Sequence, residues 1–399
     1  MVTLIGAVSS STDYSFRMTE TVPNRFGFRG PLALNGPSRD PLYPDTRTSP
    51  TTDCRPPAVH VSALPMTILA LLLGCFSATA ALVAALDRLL PVGFLAAAVT
   101  PHSAHRGPAR QFAGLAAAPV AIVAVVAAAF AGAVDHSFAT ATAASAALLV
   151  VLGYIDDRRD LGPGAKLAGQ FASAIVLLWC LDPGLRVLPD MVPLLAERAL
   201  LAVAVVWWVN MSNFMDGLDL MMVAGIGAPH AVLALAGAGG TIDAAPAAVS
   251  AGIAGSLLGF ALFNLPPAKV FLGDSGSLTL GLLSGAVVLL LAERSPLAAL
   301  LPFAFFLCDS VSTIAIRSVH GEHILGAHSA HAYQTARRAG RPVISIVAEV
   351  ALVGVISSAL AVVGLRWGSP FDIAAFTFGG GVAAASVYRM RQRAFAAKS

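Results

Sequence analysis

Apolar segments long enough to span a membrane recur along this chain from residue 66 to near its end. A helix needs about 17 to 25 mostly apolar residues to cross roughly 30 Å of hydrocarbon. With 57% hydrophobic and only 12% charged residues, the chain is more apolar than a soluble domain can hide. Its apolar residues are mainly Ala, Val and Leu, which suit closely packed helices rather than a barrel. The sequence therefore predicts an all-α, polytopic membrane protein.

We expect about eleven transmembrane helices. They are predicted at residues 66–86, 112–134, 138–155, 166–182, 194–209, 217–237, 245–263, 276–292, 296–316, 343–365 and 371–388. The loops at one end of these helices and the C-terminal tail contain most of the basic residues. The opposite loops contain only Arg186, Arg198, Arg294 and Arg366. Because basic residues near helix ends are retained in the cytoplasm, the basic loops and the C-terminus are predicted to be cytoplasmic.

The region before the first apolar segment has a different character. Residues 1–65 are rich in Pro, Ser, Thr and Asp, so we expect a disordered extension, or else natural translation that begins at Met66. Residues 66–390 are expected to form the transmembrane domain, and residues 391–399 a basic cytoplasmic tail. The cysteines show neither a disulfide pattern nor metal-ligand spacing, and the charge shows no nucleic-acid footprint.

Three carboxylates lie within about one turn after the third predicted helix, at Asp156, Asp157 and Asp160. Such crowding is unfavourable unless a cation or nearby basic residues offset it. One interpretation is a Mg²⁺ and phosphate site, in which Lys166 at the start of the next helix contacts a phosphate. The alternative is a solvated loop of mixed charge.

A second acidic string, Asn213 to Asp219, connects the fifth and sixth predicted helices. Asp216 and Asp219 are three residues apart, so a helix would place both carboxylates on one face, directed into the same pocket. The alternative is that Asp216 is a helix N-cap and that Gly217 eases the turn. Two carboxylates and an amide at one membrane boundary are more than a cap needs.

The string Gly273-Asp274-Ser275-Gly276-Ser277 opens the eighth predicted helix. Glycines permit close backbone approach, and the free amides at a helix start favour an anion. Asp274 would then hold a metal ion that bridges the carboxylate and this anion. The alternative is an ordinary capped loop. Phe271 is a candidate to stack on a nucleobase, or else an interfacial aromatic residue.

His328 and His331 lie in the longest predicted cytoplasmic loop, near Arg337. Imidazoles beside arginines suit contacts to a diphosphate or a leaving nucleotide, and no third clustered ligand supports a zinc site. Solvated loop histidines are the alternative. Ionisable residues inside membrane segments are functional candidates by default. Those predicted here are Asp309, the strongest, with His230 and Glu349.

Taken in order, these strings resemble the polyprenyl-phosphate N-acetylhexosamine-1-phosphate transferase family over about residues 66 to 390. The matching strings are Asp156-Asp157-x-x-Asp160 with Lys166, Asn213 to Asp219, Phe271 to Ser277, and Gly326 to Gln334. The histidine string looks more like the glycan-initiating branch than the muramoyl-pentapeptide branch. One stretch departs from the family pattern, because Ser103 to Gly114 has Gln111 where Arg is expected and Phe112-Ala113 for two glycines. That difference bears on the contacts of this loop and on substrate preference.

The resemblance implies transfer of an N-acetylhexosamine-1-phosphate from a cytoplasmic UDP-N-acetylhexosamine to undecaprenyl phosphate in a bacterial inner membrane. It implies Mg²⁺ or Mn²⁺ as cofactor, UMP as the released product, and a lipid-diphospho-sugar that initiates a cell-envelope glycan such as O-antigen or teichoic acid. Besides polyprenyl phosphate and membrane lipid, it leaves open a second copy of the chain as a partner in a homodimer.

The resemblance also implies roles for individual residues. Catalytic roles go to Asp156, Asp157, Asp216, His328 and His331, metal binding to Asp274 and Asp157, and substrate binding to Asp160, Lys166, Asn213, Asp219, Phe271, Ser275 and Arg337. Two other functions remain open. A membrane prenyltransferase also uses Asp-Asp-x-x-Asp to hold Mg²⁺-diphosphate, but it gives no reason for the histidine and glycine strings. An ion-coupled transporter would place its carboxylates near the midplane rather than at one surface.

Overall fold

The computed structural model describes residues 64–91, 93–96, 110–189, 191–322 and 330–396. Throughout these ranges the regular structure is helical, and isolated β-bridges join Arg110 to Ala96 and to Val270. The helices are α1 (Leu64–Leu89), α2 (Gly114–Phe130), α3 (His136–Arg159), α4 (Pro163–Trp179), α5 (Leu194–Phe214), a π-helix (Val223–Gly227) leading into α6 (Ala228–Ala238), α7 (Ala244–Ala261), α8 (Asp274–Ala292), α9 (Pro296–Leu300), a 3₁₀ turn (Leu301–Phe303), α10 (Ala304–Val319), α11 (Ala332–Arg338), α12 (Val343–Trp367) and α13 (Phe371–Ala396).

Eight helical segments of the described chain are long and apolar enough to cross a membrane, judged by length and composition. They are α1, α3, α5, α7, α8, the continuous segment from α9 to α10, α12 and α13. The shorter helices α2, α4 and α6 lie at three further positions where helices were predicted. The predicted all-α, multi-pass membrane architecture is confirmed, whereas the number of eleven crossings stays a prediction.

Two ends of the predicted domain differ in detail from the structure. Of the polar extension 1–65, only Leu64 and Pro65 are described, and they already belong to α1. At the other end, α13 continues beyond the predicted limit of 388 and through Arg391 to Ala396. The first residues of the predicted basic tail are therefore helical.

The start of the sixth predicted helix, at residue 217, is wrong. Residues 216–220 form a turn in which Leu220 has a left-handed φ of 62°, and regular π-helical winding begins at Val223. The Leu220 N–H donates to Oδ1 of Asn264 at 2.6 Å, and Nδ2 of Asn264 donates to the carbonyl of Val270 at 2.8 Å. This tertiary contact replaces the helical hydrogen bond that the sequence pattern would have supplied.

Helix α8 lies at the centre of the bundle, because nearly every one of its residues is buried. Helices α2, α3, α5 and α7 all pack against it. Elsewhere in the bundle, small residues let helices approach closely, as is common in membranes. A Cβ atom on Gly255 or Gly259 of α7 would overlap the backbone of α1 at Leu72 or Phe76.

Two glycines bring neighbouring helices into backbone contact with the first turn of α8. A Cβ atom on Gly153 of α3 would overlap the backbone N of Ser275, and one on Gly114 of α2 would overlap the backbone N of Gly276. No rotamer change can relieve such an overlap, since both partners are main chain. The end of α3 and the start of α2 are therefore fixed against the start of α8.

We predict that Gly153→Ala lowers the thermal unfolding temperature of the purified protein, whereas Gly380→Ala does not. The added methyl group at residue 153 meets backbone, and overpacking typically costs about 1–3 kcal/mol. Gly380 is also helical, but no atom lies within 4 Å of the position that an added Cβ would take, so alanine there is neutral or slightly stabilising. Thermal unfolding in detergent measures both variants. Equal unfolding temperatures would contradict the close α3–α8 contact.

Candidate active site

A lysine ammonium group lies between two carboxylates that come from distant parts of the chain. Nζ of Lys166 is 2.6 Å from Oδ2 of Asp156 and 2.8 Å from Oδ2 of Asp274. Asp156 lies in the last turn of α3, Lys166 in the first turn of α4, and Asp274 is the first residue of α8. The structure thus brings two of the predicted acidic strings and the predicted phosphate-binding lysine to one point.

Asp157 binds the start of α8 with both carboxylate oxygens. Oδ1 accepts the N–H of Asp274 at 2.8 Å, and Oδ2 accepts the N–H of Ser275 at 3.1 Å. The chain turns into the helix at Gly273, whose φ of +72° favours glycine and whose Cβ would lie 2.8 Å from Oδ2 of Asp157. Asp157 therefore positions Asp274, and its role as a metal ligand stays a prediction.

Asn213 joins the end of α5 to the same helix start. Its Nδ2 donates to Oδ1 of Asp274 at 3.0 Å and to Oγ of Ser277 at 2.9 Å. Asp274 is thus held on one oxygen by an amide and on the other by the Lys166 ammonium. This arrangement fixes the direction of the Asp274 carboxylate.

Asp216 lies half-buried in the turn after α5. Burial, followed by the negative charges of Asp274, Asp157 and Asp219, raises the pKa of Asp216 well above its usual value. The carboxylates are therefore close enough to repel one another. The expectation that Asp216 and Asp219 share one helical face is wrong, since they lie in a turn and Oδ2 of Asp219 accepts the N–H of Ala268 at 3.1 Å.

The segment that contains His331 docks on this turn. His331 directly precedes α11 and is buried, and its Nδ1 lies 3.5 Å from Oγ1 of Thr313. The fully buried Tyr333 donates its hydroxyl to the carbonyl of Phe214 at 2.9 Å. A Cβ atom on Gly217 would overlap that hydroxyl, so the glycine beside Asp216 is required by the contact. His328, the other predicted catalytic histidine, lies outside the described residues.

The remaining predicted substrate-binding residues have varied surroundings. Asp160 is exposed at the end of α3, Arg337 lies on α11 with Nη1 3.3 Å from the carbonyl of Arg341, and Phe271 is half-buried. Ser275 is fully buried, and its N–H contacts Asp157. The substrate contacts assigned to these residues stay predictions.

The stretch that departs from the family pattern supports the backbone before Asp274. Residues 103–109 lie outside the described residues, but the N–H of Gly114 donates to the carbonyl of Leu272 at 2.8 Å, and the N–H of Phe271 donates to the carbonyl of Arg110 at 2.7 Å. Phe112 is fully buried. The described part of this stretch is therefore structural, and Phe112 packs in the core.

The two carboxylates that contact Lys166 are also suited to bind a divalent cation. Among the described residues, no group of three or more His, Cys, Asp or Glu side chains is arranged to hold a metal ion. Mg²⁺, however, is usually held by one or two carboxylates together with waters and substrate phosphate oxygens. Asp156 and Asp274 fit that donor set, because they already converge on a single positive charge.

Comparisons with known proteins agree with this part of the chain. Residues 138–292 match the model of the family described as glycosyl transferase family 4. A decaprenyl-phosphate N-acetylglucosaminephosphotransferase of Mycolicibacterium smegmatis is 35% identical over 158 residues, which cover 35% of this chain and 38% of the relative. A probable undecaprenyl-phosphate N-acetylglucosaminyl 1-phosphate transferase of Bacillus subtilis is 36% identical over 154 residues, covering 36% of this chain and 41% of the relative.

A relative from the muramoyl-pentapeptide branch also matches the chain. A phospho-N-acetylmuramoyl-pentapeptide-transferase of Synechococcus sp. is 36% identical over 189 residues, covering 41% of this chain and 50% of the relative. The chain thus matches half or less of the length of these three relatives. Over the matched segment, the resemblance to the polyprenyl-phosphate sugar-phosphate transferases is confirmed. Residues 138–292 include Asp156, Asp216 and Asp274 but end before His331.

We predict that Asp157→Asn destabilises the protein, whereas Asp160→Asn does not. An amide at residue 157 can accept only one of the two backbone N–H groups and directs its own NH₂ at the other, and a buried unsatisfied donor costs about 1–3 kcal/mol. Asp160 is exposed and has a left-handed φ of 49°, which asparagine tolerates. Chemical or thermal unfolding of both variants checks this. A stability of Asp157→Asn equal to that of Asp160→Asn would contradict the capping role.

Proposed function

We propose that the protein transfers an N-acetylhexosamine-1-phosphate from a UDP-sugar to polyprenyl phosphate, with release of UMP. The observation that carries the proposal is the Lys166 ammonium held between Asp156 and Asp274. It lies where three helices of a multi-pass membrane protein end or begin. The relatives named above, which match over the segment that contains these residues, supply the reaction type.

The location suits a reaction between a soluble donor and a lipid acceptor. The phosphate of a polyprenyl chain lies at headgroup depth, and helix ends lie at the same depth. Helices α4 and α8 both begin at the site, and the positive ends of their dipoles favour anions there. Together with Lys166, these two helix starts can hold two phosphate groups that would otherwise repel each other. Catalysis then consists largely of positioning the two groups for the transfer.

The chemistry is a substitution at phosphorus. An oxygen of the polyprenyl phosphate forms a new bond to the phosphorus that carries the sugar, and the bond from that phosphorus to the UMP oxygen breaks. Asp156 and Asp274 would hold Mg²⁺ or Mn²⁺, which would neutralise the charge that develops on the diphosphate. Asp216, with its raised pKa, is suited to hold or accept a proton at this site. His331 would contact the diphosphate or the leaving nucleotide.

We further propose that the site faces the cytoplasm of a bacterial inner membrane and that the product initiates a cell-envelope glycan. The excess of basic residues in the loops on the side of the site supports the orientation. The spacing of His328 and His331, and the N-acetylglucosamine named in two of the relatives, favour a sugar without a peptide. UDP-GlcNAc, UDP-QuiNAc and UDP-FucNAc are the donors to compare.

Reconstitution with purified components tests the reaction. Protein in detergent is supplied with undecaprenyl phosphate, Mg²⁺ and one of the three UDP-sugars, and release of UMP and formation of lipid-linked sugar are followed. We expect UMP only when metal, lipid and the correct sugar are all present. Release of inorganic diphosphate from a prenyl diphosphate would support a prenyltransferase instead, and folded protein without UMP release would refute the proposal.

We predict that Asp274→Asn and Asp156→Asn each lower the rate of UMP release by at least about 100-fold, because each removes a negative charge that would hold the cation to which the phosphates bind. Asp243→Asn is the matched control. Asp243 precedes α7, and its side chain is 78% exposed, so this variant is expected to keep wild-type activity. Near-normal turnover in Asp274→Asn or Asp156→Asn would show that the site assignment is wrong.

A further inference from the structure

Arg391, near the end of α13, contacts a buried carboxylate on α10. The guanidinium group of Arg391 donates to Oδ1 of Asp309 at 3.0 Å, Oγ1 of Thr313 at 2.6 Å, and the carbonyl of Ala330 at 3.1 Å. Only 16% of its side chain is exposed. Arg391 therefore joins α13 both to α10 and to the residue that precedes His331.

Asp309 is the centre of this contact. It is fully buried on α10, and besides Arg391 its Oδ1 accepts the N–H of Ala332 at 2.8 Å, the first residue of α11. Nδ1 of His331 lies 3.7 Å from the same oxygen. The Asp309 carboxylate thus accepts a hydrogen bond from the first residue of α11, lies beside the imidazole of His331 and pairs with Arg391. Which ring nitrogen of a histidine carries the proton depends on such a partner.

The start of α11 also contacts the candidate active site. Tyr333, two residues after His331, reaches the carbonyl of Phe214 and packs on Gly217. These residues flank Asp216. The described contacts therefore run without interruption from α13, through Arg391, Asp309 and the start of α11, to the turn that carries the Asp216 carboxylate.

Because Asp309 is fully buried, its negative charge has to be balanced, and Arg391 balances it. A carboxylate in a buried position is stable only when it is paired and hydrogen-bonded, and loss of one partner leaves the other uncompensated. Without Arg391, Asp309 would retain the backbone N–H of Ala332 but lose the permanently charged partner that the described residues give it. We expect the Asp309 carboxylate to reorient and the start of α11 to loosen.

We propose that Asp309 and Arg391 are positioning residues that hold His331 and Tyr333 at the active site, so that the C-terminal helix is part of the catalytic apparatus. This inference rests on the proposed function, and it extends that function to two residues outside the segment that matches glycosyl transferase family 4. Neither residue touches Lys166, Asp156 or Asp274 in the contacts described above. Their effect on catalysis is therefore transmitted through His331, which directly precedes α11 and lies beside Asp309.

The variant Arg391→Gln tests the proposal, with Arg389→Gln as its matched control. Arg389 lies two residues earlier on α13 and also pairs with a carboxylate of another helix, because its Nη2 is 2.6 Å from Oε1 of Glu349 on α12. Its side chain is 62% exposed. Both substitutions remove one positive charge from the same helix, but only Arg391→Gln removes the contact to Asp309.

Hydrogen exchange measures the positioning without relying on turnover. We expect faster amide exchange in peptides that cover residues 330–338 of Arg391→Gln, because the N–H of Ala332 is bonded to Asp309. Arg389→Gln is expected to exchange like the wild type in this segment. Arg391→Lys, which keeps the charge but not the forked geometry, is expected to be intermediate and serves if Arg391→Gln does not fold.

Kinetics then decide whether the effect passes through His331. We expect Arg391→Gln to lower kcat by about 10- to 100-fold, the range seen for residues that orient others, with little change in KM for the UDP-sugar. In a His331→Gln background, we expect Arg391→Gln to cause little further loss, since residues that act as a unit are not additive. Arg389→Gln is expected to leave kcat unchanged in both backgrounds.

Two results would overturn the proposal. One is unchanged exchange of residues 330–338 in Arg391→Gln and Arg391→Lys. The other is a full additional loss of kcat when Arg391→Gln is combined with His331→Gln, since Arg391 would then act independently. If the wild-type protein releases no UMP, the proposed function fails, and wild-type-like exchange of residues 330–338 in Arg391→Gln would still refute the positioning separately.

Discussion

The ammonium group of Lys166 between the carboxylates of Asp156 and Asp274 is the interaction on which the rest of the site depends. It neutralises negative charge where the end of α3 and the start of α8 meet. Without a cation at this point, those carboxylates and Asp216 would repel one another, as the raised pKa of Asp216 indicates. The same requirement for positive charge makes the position suitable for a metal ion and for phosphate groups.

Backbone contacts and caps give this charge arrangement its geometry. Gly153 and Gly114 let α3 and α2 touch the first turn of α8, and Asp157 binds two N–H groups of that turn. Asp157 is thus adjacent in sequence to Asp156 but has a different task. Asp156 contacts the Lys166 ammonium group. Asp157 binds the start of α8, whose first residue, Asp274, contacts the same ammonium group.

The sequence predicted the helices well, because membrane helices require long apolar segments. The prediction of 276–292, for example, corresponds to Asp274–Ala292. It also predicted that Asp156, Lys166, Asn213 and Asp274 lie at one site, because the strings that contain them match one family in order and lie on the same predicted side of the membrane. It did not predict the turn at 216–220, which depends on Asn264, or the contact of Arg391 with Asp309 across 82 residues. Such tertiary pairs leave no periodic signal in the sequence.

Binding of Mn²⁺, followed by its electron paramagnetic resonance signal, tests the central role of Asp156 and Asp274 most directly. Since two carboxylates alone hold such a cation weakly, we expect weak binding to the protein by itself and much tighter binding when UDP supplies phosphate oxygens. We also expect Asp156→Asn and Asp274→Asn to lose the tight binding. Tight binding without nucleotide, or tight binding that survives in both variants, would show that Asp156 and Asp274 do not hold the metal together with the nucleotide.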